Sequence, residues 1–278
     1  MIRVCRLFLF FLLFSHWSHR ISRAEPISGE NLRLVKEKEY TFVVSIQARP
    51  TEIDLKGRHI CTGALISRKH VLTAEHCLKG KSLSLLQVVL ASSDFTKRVV
   101  HKIKTWISYE KWARIHNEPI RHENNDIAVL TLARKVLEPD VKPAQLSKKK
   151  ESELNWMAAQ MVGWQFANSD TTKPILFTGT VSIFTKEYCN DLCAIMLQSK
   201  EESRKHFHRN YICTMTTPSV LATQGDSGGP LFYKNDKILA VTIKGTKPTC
   251  AEESNRMTIH LSIDNYRKFL NDVISNDR

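Results

Sequence analysis

Apolar residues in this chain come in short runs, and no long helical periodicity appears before its C-terminal end. In the first half the runs lie at 42–47, 63–66, 85–90, 99–103 and 127–132. In the second they lie at 156–166, 175–184, 211–215, 230–233 and 238–243. They are β-branched or broadly apolar and are broken by turn residues, the pattern of strands in an all-β barrel. The exception is Tyr266, Phe269, Leu270, Val273 and Ile274, whose spacing makes one apolar helical stripe. Ser262 or Asp264 is its candidate N-cap, and the helix is expected to pack on the second half. With 278 residues the chain can form one large domain or two small ones.

At the other end, Arg3 and Arg6 precede the apolar run 7–14, which is too short to span a bilayer and reads as a secretory signal peptide. Small residues at Ser22 and Ala24 put cleavage after Ala24, a signal over 1–24; cleavage after Ser15 is the second option. The protein is therefore expected to be secreted and extracellular, with no membrane association. Of seven cysteines, Cys5 lies in this leader, and Cys61, Cys77, Cys189, Cys193, Cys213 and Cys250 remain. An even number in a secreted chain implies disulfides. No tight Cys-x-x-Cys pair with partner histidines occurs, so neither a metal nor a cofactor is expected.

The formal charge of +13 falls to +9 when Arg3, Arg6, Arg20 and Arg23 leave with the leader, since no acid leaves with them. Such a surface could steer acidic proteins or polysaccharide. Along the sequence the cations are scattered, and Lys148-Lys149-Lys150 is the only tight run, so a nucleic-acid partner is not expected.

The chemistry concentrates in three stretches. Gly225-Asp226-Ser227-Gly228-Gly229-Pro230 sets a serine in a glycine turn, where the backbone can approach a substrate and N–H groups can face a developing oxyanion. Thr73-Ala74-Glu75-His76-Cys77 offers a histidine, and Asn125-Asp126 offers a carboxylate at the head of an apolar run. Serine is a weak nucleophile at neutral pH and needs a base, which in turn needs an orienting group. His, Asp, Ser in that chain order is the order of the well-known catalytic triad.

On these stretches, together with Cys61-Thr62-Gly63-Ala64-Leu65-Ile66-Ser67, Gly163-Trp164 and the C-terminal helix, the chain resembles the secreted chymotrypsin-like serine proteases from about Ile27 to its end. The resemblance implies two six-stranded antiparallel β-barrels and a C-terminal helix, as one peptidase domain over 27–278, the first barrel about 27–147 and the second about 148–278. It implies a serine endopeptidase with catalytic His76, Asp126 and Ser227 and an oxyanion hole from the N–H groups of Gly225 and Ser227. Protein or peptide substrates and protein inhibitors are the partners it implies, for a monomeric enzyme. Its disulfides would be Cys61–Cys77, Cys189–Cys213 and, because Thr223 stands where the family has a cysteine, Cys193–Cys250. The family's calcium loop corresponds to residues 91–98, which hold one Asp and two cations, so no calcium site is expected.

Departures from the family pattern are informative. Family members pair a freed N-terminal ammonium with the Asp before the nucleophile, here Asp226. The nearest counterpart of that N-terminus is Ile27, preceded by Pro26; Arg20-Ile21 is a basic cleavage site further upstream, and signal cleavage after Ala24 with removal of Glu25-Pro26 by a dipeptidase is a second route, one that would expose Ile27. Glu75 replaces an alanine beside His76. Its side chain would crowd Asp126, raise the His76 pKa by its charge, or point to solvent, and the family holds the Asp with the backbone N–H at that position. The pocket residues implied are Leu221, Lys244, Gly245 and Thr258, with Met257 an alternative to Thr258. Leu221 lies where tryptic members place an Asp, which predicts a small or medium apolar residue before the scissile bond. Lys244 facing the pocket would favour an acidic one. The alternative function is a catalytically weak or inactive homologue that acts by binding proteins.

Overall fold

The computed structural model describes residues 27–50, 58–90, 99–120, 124–166, 174–196, 210–216, 220–234, 236–243 and 257–276. Two short strands open the chain, β1 (Ser28–Gly29) and β2 (Leu32–Leu34). The first barrel follows: β3 (Val43–Ala48), β4 (His59–Leu65), β5 (His70–Thr73), β6 (Leu86–Leu90), β7 (Val100–Ser108) and β8 (Ala128–Leu132). These close in the order β3-β4-β5-β8-β7-β6, every neighbour antiparallel.

After the short β9 (Gln145–Leu146), the second barrel is built from β10 (Ala158–Phe166), β11 (Pro174–Phe184), β12 (Tyr211–Met215), β14 (Pro230–Tyr233), β15 (Lys237–Thr242) and β16 (Thr258–Ser262), with β13 (Val220–Leu221) between β12 and β14. Its strands run β10-β14-β15-β16-β12-β11, and pairing of β10 with β11 closes the ring. Both barrels are thus six-stranded and antiparallel, as the resemblance implied. The opening strands do not join the first barrel. Ser28 pairs with Leu221, and Leu32 to Leu34 pair along β11, so the N-terminal segment is tied to the second half.

Runs of apolar residues located ten of the twelve barrel strands because such strands bury one or both faces, and missed β5, β16 and the four short strands outside the barrels. β7 extends past its expected end because its outward residues, Lys102, Lys104 and Thr105, are polar and exposed. Two helices escaped the pattern: α1 (Tyr109–Ile115), capped by the Ser108 hydroxyl, and α2 (Lys186–Met196). α1 is only about two turns long, and α2 buries the small residues Cys189, Cys193 and Ala194 while Tyr188 and Ile195 face outward, so neither shows a stripe of large apolar residues. The C-terminal helix α3 (Arg267–Ser275) follows a 3-10 turn over Asp264–Tyr266.

The stripe of α3 reaches beyond the second barrel. Tyr266 and Phe269 meet Tyr109 edge-on, with ring centroids 4.8 and 5.9 Å apart, and Phe269 lies 5.6 Å from Trp112. Burying aromatic rings of both halves in one cluster clamps the barrels together.

Candidate active site

β5 ends at Thr73, and the chain turns through a 3-10 segment, Glu75–Cys77, that carries His76. The Cys61–Cys77 disulfide closes this loop onto β4 across a separation of 16 residues; a loop of that size gains roughly 3 kcal/mol from closure. Asp126 lies just before β8, which pairs with β5. Strand pairing therefore brings the two together. The Asp126 Oδ2 is 2.6 Å from His76 Nδ1, and Oδ1 accepts the backbone N–H of His76 at 2.8 Å. The backbone donor is thus that of His76, one residue after the expected Glu75. A carboxylate on Nδ1 keeps the proton there and leaves Nε2 as the acceptor.

The segment before Asp126 is held from the second half. Buried Asn125 accepts the Tyr266 hydroxyl at 2.8 Å, and Tyr266 in turn takes the side-chain amide of buried Asn210. Half-buried Glu75 has its carboxyl pushed up, chiefly by burial, with Lys79 opposing and Glu110 and Asp126 adding to the rise. The charge of Asp126 thus reaches Glu75, but as a lesser cause than burial.

Ser227 comes from the second half, and its turn is fixed across the junction. Its carbonyl accepts the Thr62 N–H at 2.9 Å, Gly228 N–H bonds Thr242 O at 2.8 Å, and Thr242 N–H returns to Gly229 O at 2.8 Å. Gly228 has φ +83°, and a Cβ there would run into Thr73 Oγ1 and the Thr62 carbonyl, so only glycine fits. Cys77 Sγ lies 3.7 Å from the Ser227 carbonyl and 3.8 Å from His76 Nε2, so the two arms of the site meet at the disulfide. Cys61, Cys77 and His76 converge within ligand distance of one another. With both sulfurs in a disulfide there is no thiolate to bind a metal. Among the described residues, the Ser227 hydroxyl and the N–H groups of Gly225 and Ser227 carry no hydrogen bond.

Residues that sequence reasoning passed over complete this turn. The Gly225 carbonyl accepts from His59 Nε2 at 2.9 Å and the Thr62 hydroxyl at 3.0 Å, and His59 Nδ1 meets the Ser45 hydroxyl at 2.7 Å. These bonds turn the carbonyl inward, toward the first barrel. Behind the turn, buried His260 lies between Thr214 Oγ1, 2.8 Å from Nε2, and Thr242 Oγ1, 3.1 Å from Nδ1. No local motif marks either histidine, because their partners are far off in sequence.

Burial lowers both imidazoles, His59 to about 4 and His260 to about 3, so both are neutral in the folded protein. The unfolded chain accepts their protons near pH 6.5 and the folded one refuses them. Stability should therefore be complete above about pH 6.5 and fall as pH drops toward 4 and then 3, by about 1 kcal/mol per pH unit for each histidine. Chemical denaturation between pH 4 and 7 checks this. His260→Gln should flatten the slope, and an unchanged slope would contradict the assignment.

Asp226 is 1% exposed, and its Oδ2 accepts the N–H of Thr223 at 2.7 Å, with the Thr223 hydroxyl at 3.5 Å. The threonine that replaces a cysteine thus holds this carboxylate. Ile27, also 1% exposed, lies against the same spot, because Gly163 packs on both Ile27 and Asp226. The Thr258 hydroxyl accepts the N–H of Ala222, the residue after Leu221, at 3.0 Å, and Met257 is buried. Lys244, Gly245, residues 91–98 and the signal peptide lie outside the described residues. Cys189–Cys213 is formed. Cys193 is disulfide-bonded as well, and its expected partner Cys250 lies outside the described residues.

The family model described as Trypsin matches residues 33–270. A chymotrypsin of Phaedon cochleariae is 28% identical over 184 residues, 63% of this chain; the match spans 59% of that relative's length. Trypsin theta of Drosophila erecta is 27% identical over 222 residues, 77% of each chain. Among solved structures, neuropsin, a serine protease expressed in the limbic system of mouse brain, superposes with a TM-score of 0.63 over 88% of this chain and 99% of its own, at 21% identity, a likeness of fold.

Proposed function

We propose that this chain, which belongs to the trypsin family of serine proteases, is a secreted endopeptidase that cuts protein substrates through His76, Asp126 and Ser227 and does not cut after basic residues. The observation that carries the reading is the two-point hold of Asp126 on His76, beside a Ser227 turn anchored to the same disulfide-closed loop.

In this mechanism His76 Nε2 takes the Ser227 hydroxyl proton as Oγ attacks the scissile carbonyl, and Asp126 stabilises the imidazolium that forms. The resting site need not hold a tight Oγ–Nε2 bond, since such bonds often close only around substrate. The tetrahedral oxyanion would receive the N–H groups of Gly225 and Ser227, which face no internal acceptor. Losing one such donor typically costs about 3–4 kcal/mol of barrier. His76 then protonates the leaving amine, and water resolves the acyl-enzyme by the same steps in reverse. Maturation would free Ile27, whose burial against Asp226 supports its ammonium as the partner of that carboxylate.

A fluorophosphonate probe tests the reading directly. Matured protein should be labelled at Ser227, and absence of labelling would favour a homologue that acts by binding. Specificity follows from the pocket. A substrate cation against Leu221 would lose its hydration with no carboxylate in return, a penalty of several kcal/mol. Thr258, bonded to Ala222, further narrows the space. Arg-based chromogenic substrates should be cleaved at least about 100-fold less efficiently than those with a small or medium apolar residue; parity between the two would overturn this pocket assignment.

A further inference from the structure

The cations that look scattered in the sequence are gathered by the fold. The chain leaving β8 is laced between two other segments: Leu132 N–H bonds Lys69 O at 2.8 Å, Ala133 N–H bonds Lys102 O at 2.8 Å, and Val136 N–H bonds Arg68 O at 2.7 Å. Arg68, Lys69, Lys102, Lys104, Arg134 and Lys135 therefore crowd one end of the first barrel. Lys104 stands out at an irregularity of β7, where the register shifts between Ile103 and Thr105.

Little negative charge answers Lys102, Lys104, Arg134 and Lys135 among the described residues. Arg68 spends its guanidinium on the carbonyls of Val136 and Glu138. The Glu138 carboxylate takes the Leu137 N–H and lies 3.9 Å from His101, and Asp140 pairs with Lys38. Lys102, Lys104, Arg134 and Lys135 are exposed, with no carboxylate partner among the described residues. Apolar side chains stand out among them: Leu137 is 82% exposed and Val100 49%, the latter on the same strand face as Lys102.

We propose that this face is a docking surface for an acidic protein segment carrying apolar side chains, engaged away from the bond to be cut. Cations alone would suit any polyanion. Exposed Leu137 and Val100 favour a peptide, because a sulfated polysaccharide has nothing to bury against them. The position suits a second contact on a protein substrate. β5 runs from Lys69 toward His76 and β8 from Asp126 toward Arg134, so about 15 Å of strand separates patch from site. A segment bound here would leave Ser227 open.

Binding can be read without turnover. A fluorescein-labelled peptide of alternating Glu and Leu, titrated by anisotropy onto Ser227→Ala protein, should bind with an affinity that falls as salt rises. The combined variant Lys102→Glu, Lys104→Glu, Arg134→Glu, Lys135→Glu should weaken it about tenfold or more. Leu137→Ser alone should weaken it measurably. The same number of reversals elsewhere, Lys148→Glu, Lys150→Glu, Lys234→Glu and Lys237→Glu, should change it less than about threefold. Thermal melts establish that each variant is folded, and Lys102→Gln with Lys104→Gln is the milder version of the first. Equal loss from both sets of reversals would overturn the proposal in favour of net charge. Binding of heparin with none of the Glu-Leu peptide would overturn it in favour of a polysaccharide site.

Discussion

Ser227→Ala in the matured protein should lower kcat/KM for peptide hydrolysis by about 10⁴-fold or more while the melting temperature stays within a few degrees. Both halves follow from how the serine is held. The turn is fixed by main-chain bonds, Ser227 O to Thr62, Gly228 to Thr242 and Gly229 to Asp226, and none uses the hydroxyl. Removing that oxygen therefore leaves the turn and its amides in position and empties no core volume. What is lost is the nucleophile, for which His76 has no substitute. Fluorophosphonate labelling should vanish in the same variant. Activity within tenfold of wild type would mean that Ser227 is not the nucleophile, whatever its surroundings.

The candidate triad was legible because each member sits in a short local signature of glycines, cysteines and flanking apolar residues. The strands were legible because barrels bury alternate or continuous apolar residues. What stayed hidden depends on partners distant in sequence. His59 gains its place from Ser45 and Gly225, and Asn125 from Tyr266, pairings that no spacing announces. The α2 helix left one trace, Cys189 and Cys193 four residues apart with both buried, but its large apolar residues Tyr188 and Ile195 face outward, so no stripe marks it. The end of β7 was missed because Lys104 and Thr105, consecutive and exposed at the register shift, interrupt its apolar alternation, and the basic face it belongs to exists only once β5, β7 and β8 are paired. Leu221 was readable from its distance to Ser227. That the Thr258 hydroxyl accepts the Ala222 N–H was not.

Gly163→Ala should damage the protein in two places at once, though it adds a single methyl group. Gly163 lies in the middle of β10, paired with Phe177 of β11. Here glycine answers a demand for space, since two groups press on its open side. A Cβ at this position would overlap Asp226 Oδ1, lie 2.9 Å from Asp226 Cγ and stand 2.7 Å from Ile27 Cβ. Neither neighbour can yield cheaply. Ile27 is packed in a core with Met161, Val181, Ile212 and Leu231, and Asp226 is a buried carboxylate pinned by Thr223. Overpacking of this kind costs about 1–3 kcal/mol. The functional consequence is larger if Asp226 moves. It sits between Gly225 and Ser227, so a shift of its side chain rotates the two N–H groups proposed for the oxyanion. Displacing one such donor lowers kcat by about 10²–10³-fold. The expected signature is a modest loss of stability with a fall in kcat and little change in KM, since substrate binding draws on the pocket instead. The rate of fluorophosphonate labelling should drop in proportion. A Gly163→Ala protein with wild-type kcat would show that Ile27 and Asp226 can part without disturbing the nucleophile turn, and that the proposed link between a buried N-terminus and the oxyanion amides is not made through this contact.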